Sequence, residues 1–324
     1  MADGATLRDR LEHAGFLVFL SVFRMLPERA ALALGSALGW IAGAVLGIRR
    51  EVTDANLARA FPDRPRAWRD RVARASYRNL GREAVAAFRF AGESPERVIE
   101  RTPEPAGAEA LLAVLRSGRG AVLITGHFGS WELAGAATAA RGVKIAAVAA
   151  RLRNRRIDDA LTENRARLGI ATIRRGDAPL EALRALRAGQ VVGLVGDQDA
   201  RRGGVFVDFL GSPAATARGP ALIALRGRAP LFVGSCVADP GRPGCYLCEV
   251  EEIRCERSGD LAEDVRRLTE AHARALAARV RRQPEHYFWQ HRRWRTRPPG
   301  EAPASPREAA PGVDPQEPGD LVPV

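Results

Sequence analysis

The sequence predicts an α/β fold in which a mixed, largely parallel sheet is flanked by helices. Short apolar strands alternate with helical patterns between residues 121 and 195, which is typical of crossover units with parallel pairing. Two further apolar runs are predicted to form a hairpin over residues 231–253, which makes the sheet mixed. A long amphipathic pattern over residues 261–282 predicts one of the helices that flank it.

The elements are predicted in chain order as follows. Residues 51–92 form a helical region that is broken near Pro62 and Pro65. Beyond it, strands are predicted at Ala121–Thr125, Lys144–Ala149, Ile170–Ile173 and Val191–Val195, and helices at Trp131–Ala140, Ile157–Leu168 and Leu180–Ala188. A Gly-rich loop follows, after which Pro220 suits the first position of another helix.

The N-terminal region, residues 1–50, is predicted to consist of apolar helices that associate with a membrane. Residues 30–48 are 19 residues without a charge, close to the length needed to span a bilayer. Their Ala, Gly and Ser content weakens insertion, so spanning, an interfacial pair with residues 14–23, and two buried core helices all stay open. No secretory signal is indicated, since the first ten residues carry two Asp against two Arg. The rest of the chain is therefore expected in the cytoplasm.

The remaining chain is divided into an α/β domain over residues 51–297 and a tail over residues 298–324. The tail is rich in Pro, Glu, Gly and Ala and has no apolar periodicity, which predicts disorder.

The charge of the chain predicts anionic partners. Its formal net charge is +12 and nearly all of its basic residues are arginines, with a single lysine at Lys144. An anionic membrane surface and an acidic partner both fit this charge. Nucleic acid is not expected, because few aromatic residues lie between the arginines to stack on bases.

Four cysteines fall close together, at Cys236, Cys245, Cys248 and Cys255. The two-residue gap between Cys245 and Cys248 is that of half a zinc site, but no second close pair and no nearby histidine completes it. We predict reduced thiols and no metal.

The segment Gly126-His127-Phe128-Gly129-Ser130-Trp131-Glu132 is the strongest candidate for a catalytic centre. It follows the predicted strand Ala121–Thr125, and in open α/β sheets ligands collect beyond the carboxyl ends of strands. Glu132 would lie in the first turn of the next helix and could accept the Nδ1 proton of His127. His127 Nε2 would then be free to take a proton from a hydroxyl, which predicts a general base with Glu132 as its orienting group.

Two more charged clusters follow predicted strand ends. Asp197, Asp199, Arg201 and Arg202 lie in a Gly-rich loop after Val191–Val195, and Arg174 and Arg175 follow Ile170–Ile173. Arginines and glycine-exposed N–H groups suit phosphate. Since the carboxyl ends of parallel strands share one edge, we expect these residues to line a substrate-binding site beside His127.

These motifs resemble the lipid A biosynthesis acyltransferases, which belong to a wider group of glycerolipid acyltransferases. His127 and Glu132 match that group's histidine, four residues, acidic residue motif. Further matches, over roughly residues 16–297, are Asn56-Leu57-Ala58-Arg59-Ala60-Phe61-Pro62, Gly196-Asp197-Gln198-Asp199, residues 209–221, and Tyr287-Phe288-Trp289-Gln290-His291-Arg292-Arg293-Trp294.

The resemblance implies transfer of a fatty acyl chain from acyl carrier protein or acyl-CoA to a hydroxyl of an anionic membrane glycolipid. The expected acceptor is a lipid A precursor, and the expected location is the cytoplasmic face of the bacterial inner membrane. By the same resemblance, Arg174 or Arg175 would bind the acceptor, and Asp197 and Asp199 would assist the site. The resemblance implies that no metal or bound cofactor is required.

Three alternatives stay open. A phosphatidylinositol mannoside or other phospholipid acyltransferase shares these motifs and differs in its acceptor. A hydrolase would use the same histidine to activate water on an acyl thioester. A basic protein that only binds a membrane surface would need none of this chemistry.

Overall fold

The core of the computed structural model, which describes residues 6–201 and 203–300, is a sheet of six strands. These are β1 (Ala121–Thr125), β2 (Ile145–Ala149), β3 (Ile170–Arg174), β4 (Val191–Val195), β7 (Leu231–Ala238) and β8 (Tyr246–Ile253), with a separate hairpin of β5 (Val205–Phe209) and β6 (Ser212–Thr216). The order in the sheet is β3-β2-β4-β1-β7-β8. All neighbours are parallel except β7 and β8, so the prediction of a mixed, largely parallel sheet is confirmed.

Helices precede, follow and cover the sheet. They are α1 (Leu7–Met25), α2 (Glu28–Trp40), α3 (Arg50–Ala60), α4 (Arg66–Phe90), α5 (Pro95–Arg101), α6 (Ala108–Arg116), α7 (Trp131–Ala140), α8 (Arg155–Arg167), α9 (Ala178–Arg187), α10 (Gly219–Gly227) and α11 (Leu261–Arg282). The break between α3 and α4 falls at Pro62 and Pro65, as predicted. Two apolar clusters fill the space between the sheet and its helices, one including Leu123 and Phe232 and the other including Val122 and Leu231. Alternate residues of β1 therefore point to opposite sides of the sheet.

Helix α2 packs on α4 at very close range because glycines line the contact. A Cβ atom on Gly35 would come within 2.7 Å of the Gly81 carbonyl oxygen, and one on Gly39 would collide with the Tyr77 carbonyl oxygen. On Gly43, in the π-helical turn Ile41–Val45 that continues α2, it would collide with the Tyr77 ring. The glycines of this apolar segment thus let the backbones of α2 and α4 approach each other closely.

The N-terminal helices also carry apolar side chains that face away from the protein. On α1 these are Leu7, Leu11, Val18, Val22 and Met25, with Leu17 next to Val18 as a further exposed residue, and on α2 and its π-helical turn they are Leu34, Leu38, Ile41 and Val45. Each set follows the three- and four-residue spacing of one helical face. Within the described ranges, no single helix meets the length and hydropathy needed to cross a bilayer, although Glu28–Val45 and Arg50–Ala60, bent by 88°, meet them as a pair.

Two features of the fold differ from the predictions or lie beyond them. The Gly-rich loop after β4 contains the β5–β6 hairpin, which the sequence did not predict. Most of the predicted tail, residues 301–324, lies outside the described residues.

Candidate active site

His127 and Asp197 form a buried pair at the carboxyl-terminal edge of the sheet. The Nδ1 atom of His127 lies 2.7 Å from Asp197 Oδ1, and the backbone N–H of His127 donates to Asp197 Oδ2 at 2.9 Å. Only 1% of His127 and 4% of Asp197 is exposed. The carboxylate thus holds both the ring and the backbone of the histidine.

The surroundings of Asp197 favour the ionised form of its carboxyl group. Burial alone would raise the pKa of this carboxyl group, but the charge and hydrogen bonds of His127 outweigh burial and hold the pKa below its ordinary value. An ionised acceptor at Nδ1 fixes the tautomer that carries its proton on Nδ1, which leaves Nε2 basic. Such an imidazole can take a proton from a hydroxyl, and the carboxylate stabilises the imidazolium that results.

Glu132 does not orient His127, so that prediction is wrong. Its carboxylate accepts hydrogen bonds from Arg165 on α8, at 2.6 Å from the terminal nitrogen and 3.1 Å from Nε. Arg165 is 4% exposed and lies in the middle of the fold. Glu132 stands in the first turn of α7, as predicted, but its side chain ties α7 to α8 rather than contacting the imidazole.

The other side of the His127 ring is lined by aromatic and amide groups. The rings of His127 and Trp131 meet edge to face with centroids 5.0 Å apart, and the Phe288 ring lies 5.8 Å away. The side-chain nitrogen of Gln198 is 3.4 Å from His127 Nε2. Trp131 and Phe288 thus pack against the His127 ring, and Gln198 lies within hydrogen-bond range of Nε2.

A C-terminal segment, residues 286–291, braces the loop that carries His127. The N–H of Phe288 donates to the His127 carbonyl at 2.9 Å, and the N–H of Gly129 donates to the His286 carbonyl at 2.8 Å. Gly129 has φ of 61°, a left-handed conformation that favours glycine, and a Cβ atom there would strike the Cys236 carbonyl. The family resemblance included this segment. Its local sequence pattern, however, does not predict a contact with the loop that carries His127.

His291 holds the second charged loop. Its Nε2 accepts the N–H of Asp199 at 2.9 Å, which requires a neutral ring, and burial lowers the pKa of His291 to about 3. The Asp199 carboxylate in turn accepts from the Thr296 hydroxyl at 2.8 Å. Asp197 and Asp199, both predicted to bind substrate, thus have different partners: Asp197 contacts His127, and Asp199 is bonded to His291 and Thr296.

The arginines that were predicted to bind substrate lie in different places in the structure. Arg174 is paired with Asp158 of α8 at 2.9 Å and donates to Thr162, so its guanidinium is engaged within the protein. It ends β3, three strands from β1, which places the two strands roughly 14 Å apart at ordinary strand spacing. Arg174 therefore shares the sheet edge with His127, as predicted, but its guanidinium pairs with α8.

Arg175 and Arg201 instead line an open cleft of ≈ 620 Å³, here called the arginine cleft. Gln198, Asp199 and His291 also line it, so it reaches the surroundings of His127 Nε2. Two arginines that the sequence did not single out, Arg218 and Arg226, contribute from the start and end of α10. Arg202 lies outside the described residues.

A second cavity, of ≈ 320 Å³ and here called the apolar cavity, lies on the other side of the catalytic loop. Its wall is formed by side chains of α1, α4 and α8 together with the start of α7, including Phe16, Phe19, Phe88, Trp131, Ile157 and Leu161. Trp131 therefore contacts His127 and also lines the cavity. His127 thus contacts one residue of each cavity, Trp131 of the apolar cavity and Gln198 of the arginine cleft.

The four cysteines are free. Cys236 and Cys248 face each other across β7 and β8, with sulfur atoms 3.0 Å apart, and burial raises the pKa of Cys236 well above its ordinary value.

An α/β fold with a histidine bound to a carboxylate at the strand ends, near an apolar cavity and a cleft lined by arginines, suits an enzyme that uses a general base on an amphipathic substrate. Residues 7–296 match the sequence model of the bacterial lipid A biosynthesis acyltransferases, and the chain belongs to that family. It is an acyltransferase.

The chain is similar to relatives with two kinds of acceptor in their names. It is 32% identical to a phosphatidylinositol mannoside acyltransferase of Mycobacterium tuberculosis over 69% of this chain and 71% of that protein. It is 25% identical to the lipid A biosynthesis palmitoleoyltransferase of Escherichia coli K12 over 86% and 89% of the two chains. It is 29% identical to the lipid A biosynthesis lauroyltransferase of the same organism over 85% and 88%.

Proposed function

We propose that this acyltransferase moves a fatty acyl chain from a thioester of acyl carrier protein or coenzyme A to a hydroxyl of a lipid A precursor. The observation that carries the proposal is the position of His127. Its Nδ1 is bound to Asp197, and its Nε2 lies near Gln198 of the arginine cleft while its ring contacts Trp131 of the apolar cavity. An anionic glycolipid and an acyl chain would then meet at the same nitrogen.

The residues support a direct transfer without a covalent enzyme intermediate. His127 Nε2 takes the proton of the acceptor hydroxyl as its oxygen attacks the thioester carbonyl carbon. The C–O bond forms, the C–S bond breaks, and the departing thiolate receives the proton from the imidazolium. Asp197 stays ionised throughout and stabilises the transient imidazolium.

The arginine cleft supports an anionic headgroup. Arg175, Arg201, Arg218 and Arg226 line one open space of ≈ 620 Å³, and guanidinium groups bind phosphate through paired N–H donors. Phosphates of a lipid A precursor or of a phosphatidylinositol mannoside would both be attracted. The family match and the coverage of the Escherichia coli relatives favour the lipid A precursor, and the identity to the Mycobacterium tuberculosis relative favours the mannoside.

The acceptor is identified by offering both lipids to the purified protein with dodecanoyl thioesters of acyl carrier protein and of coenzyme A. We expect transfer to the lipid A precursor, detected as a product heavier by one acyl chain in mass spectrometry. The His127→Ala variant should lose transfer by on the order of 10²–10⁴-fold. Transfer to the mannoside alone would reassign the acceptor, and undiminished transfer by His127→Ala would refute the mechanism. Thioester cleavage that is independent of either lipid would instead indicate a hydrolase.

We further propose that the N-terminal helices rest on the cytoplasmic face of the inner membrane. Leu11 and Val18 of α1 are 65% and 64% exposed and belong to one apolar stripe, and α2 carries a second stripe. Arg24 and Arg29, near the junction of the two helices, suit anionic headgroups. Phe16 and Phe19, on a different face of α1, line the apolar cavity. Acyl chains in the bilayer would thus lie close to the cavity.

Sedimentation with vesicles of phosphatidylglycerol and phosphatidylethanolamine tests this arrangement. The double variant Leu11→Asp/Val18→Asp should bind at least about tenfold more weakly, because two apolar side chains no longer enter the lipid. The control is Leu180→Asp on α9, a site that is 54% exposed and distant in sequence from both stripes. Equal binding by the double variant and the wild type would refute the proposed orientation.

A further inference from the structure

The side-chain amide of Gln198 faces the basic nitrogen of His127. Its nitrogen lies 3.4 Å from His127 Nε2. Because Asp197 accepts the proton on Nδ1, Nε2 carries a lone pair, so the group that faces it is the N–H donor of the amide rather than the carbonyl oxygen. A hydrogen bond of this length is weak and is readily exchanged for one to a substrate.

Several backbone N–H groups of the loop that carries His127 are already engaged within the protein. The N–H of His127 donates to Asp197 Oδ2 at 2.9 Å. The N–H groups of Gly129 and Ser130 donate to main-chain carbonyls at 2.8 and 2.7 Å. Acyl transfer usually relies on donors aimed at the oxygen that becomes charged in the transition state, and these three groups do not supply them. The amide of Gln198, whose measured neighbour is the base itself, can do so.

Gln198 is held in place by the residues on both sides of it along the chain. Asp197 binds the ring and the N–H of His127. Asp199 donates its N–H to His291 Nε2 at 2.9 Å. A donor whose backbone is fixed before the substrate arrives needs little reorganisation during the reaction.

The separation of the two nitrogens suits a pair of oxygens on one carbon better than a single oxygen. One oxygen at about 2.8 Å from both nitrogens would have them only about 75° apart, whereas the proton and lone pairs of a hydroxyl are spread at roughly tetrahedral angles. Two oxygens of a tetrahedral intermediate lie roughly 2.3 Å apart, so one can meet His127 Nε2 while the other meets the Gln198 N–H, each at about 2.8 Å. The two hydrogen bonds then run nearly parallel.

We propose that Gln198 is a further catalytic residue, whose side-chain N–H binds the oxyanion of the tetrahedral intermediate. This inference rests on the proposed function for the reaction concerned. The acceptor oxygen gives its proton to His127 Nε2 and attacks the carbonyl carbon, and the electron pair of the C=O bond moves to the carbonyl oxygen, which accepts from Gln198. The C=O bond re-forms as the C–S bond breaks, and the thiolate takes the proton from the imidazolium.

Gln198→Met removes the donor and keeps the length of the side chain. With whichever dodecanoyl thioester the wild type uses, we expect kcat to fall on the order of 10²–10³-fold while KM for the lipid stays within about threefold, because the donor is needed only in the transition state. The matched control is Gln190→Met, the same substitution just before β4 and therefore at the opposite edge of the sheet. Its kcat should equal that of the wild type.

Gln198→Glu is a second variant of nearly the same shape. Its carboxylate repels the oxyanion, so kcat should fall at least as far. The same carboxylate lies beside Nε2 and favours the imidazolium, so the acid limb of the pH profile of kcat should move up by about one pH unit or more. A residue that only supports the fold would not produce this shift. Circular dichroism of each variant checks the fold.

The proposal is overturned if Gln198→Met keeps kcat within about fivefold of the wild type, if the loss appears in KM instead, or if the pH profile of Gln198→Glu does not move. Should Gln198→Met not fold, the same limits apply to Gln198→Glu. A wild type that cleaves the thioester with water instead of acylating a lipid, with the same losses in the variants, would refute the proposed function alone, since hydrolysis passes through the same oxyanion. Lipid acylation that both Gln198 variants retain would refute only the role of Gln198. A wild type with neither activity would overturn both proposals.

Discussion

His127 and Asp197 stand at equal distances beyond two neighbouring strand ends. Thr125 ends β1 and Val195 ends β4, these two residues are register partners, and each functional residue lies two positions further on. The resulting 2.7 Å contact joins residues 70 positions apart. The sheet register itself therefore positions the Asp197 carboxylate against the His127 ring.

Asp197→Asn should abolish most transfer while the protein stays folded. The amide keeps the shape of the side chain but removes the charge that fixes the His127 tautomer and stabilises its imidazolium, so kcat should fall on the order of 10²–10⁴-fold. Steady-state kinetics measure the change, with circular dichroism to confirm the fold. Asp208→Asn, on the exposed face of β5, is the control. A kcat within a few-fold of the wild type would show that Asp197 does not act on the base.

Glu132→Ala should destabilise the protein because it leaves Arg165 buried without its carboxylate. Breaking one side of a buried ion pair costs about 3–5 kcal/mol. Replacing both partners, in Glu132→Ala/Arg165→Leu, should recover a large part of that loss. Denaturant unfolding of the two single variants and the double variant gives the coupling free energy. Simple additivity of the two single losses would mean that the pair contributes no stability of its own.

Gly39→Ala should lower the free energy of unfolding by about 1–3 kcal/mol, because the new methyl group collides with the Tyr77 carbonyl oxygen and forces α2 away from α4. Gly15→Ala in α1 is the matched control. A Cβ atom there meets no neighbour within 4 Å, so helix propensity alone should stabilise α1 slightly. Thermal or denaturant unfolding distinguishes the two. Equal effects of the two substitutions would show that the close contact is not maintained in solution.

Mild acid should destabilise the fold through His272. Burial, with a smaller effect of Arg293, lowers the pKa of this histidine from 6.5 to about 3. The unfolded chain therefore binds a proton that the folded chain excludes, so the stabilising contribution is complete above pH 6.5 and is lost as the pH falls toward 3. Between pH 7.5 and 5 the loss is about 2 kcal/mol from this group.

His272→Leu isolates that contribution, since leucine does not titrate. We expect the variant to lose about 2 kcal/mol less than the wild type between pH 7.5 and 5 in denaturant unfolding. Identical losses in the two proteins would show that His272 is protonated in the folded state.

Local patterns in the sequence predicted the elements well, but not which of them are neighbours. The bounds of β1, β4, α7 and α11 agree with the prediction because apolar periodicity is a local property. The pairing of β1 with β4 is not local, so Asp197 could be placed at the same edge as His127 without being recognised as its partner. Glu132 was chosen because it is near in sequence, and its true partner Arg165 is 33 residues away.

Other differences have similar causes. The β5–β6 hairpin was missed because Gly203, Gly204 and Pro213 suggest a loop, although backbone pairing between Val205 and Thr216 orders it. Arg174 was placed by its strand end alone, but the order of the sheet moves β3 away from β1. The arginines of α10 belong to a helix whose position depends on the whole fold, so no local pattern could connect Arg218 with Arg201.

The contacts of residues 286–291 with the catalytic loop affect when activity can first arise during synthesis. The strand that delivers His127 leaves the ribosome long before the carbonyl of His286 and the N–H of Phe288 that brace its loop. A nascent chain can therefore build most of its sheet while the loop that carries His127 still lacks these two hydrogen bonds. Full activity is expected only after residues 286–291 have left the ribosome and docked on that loop.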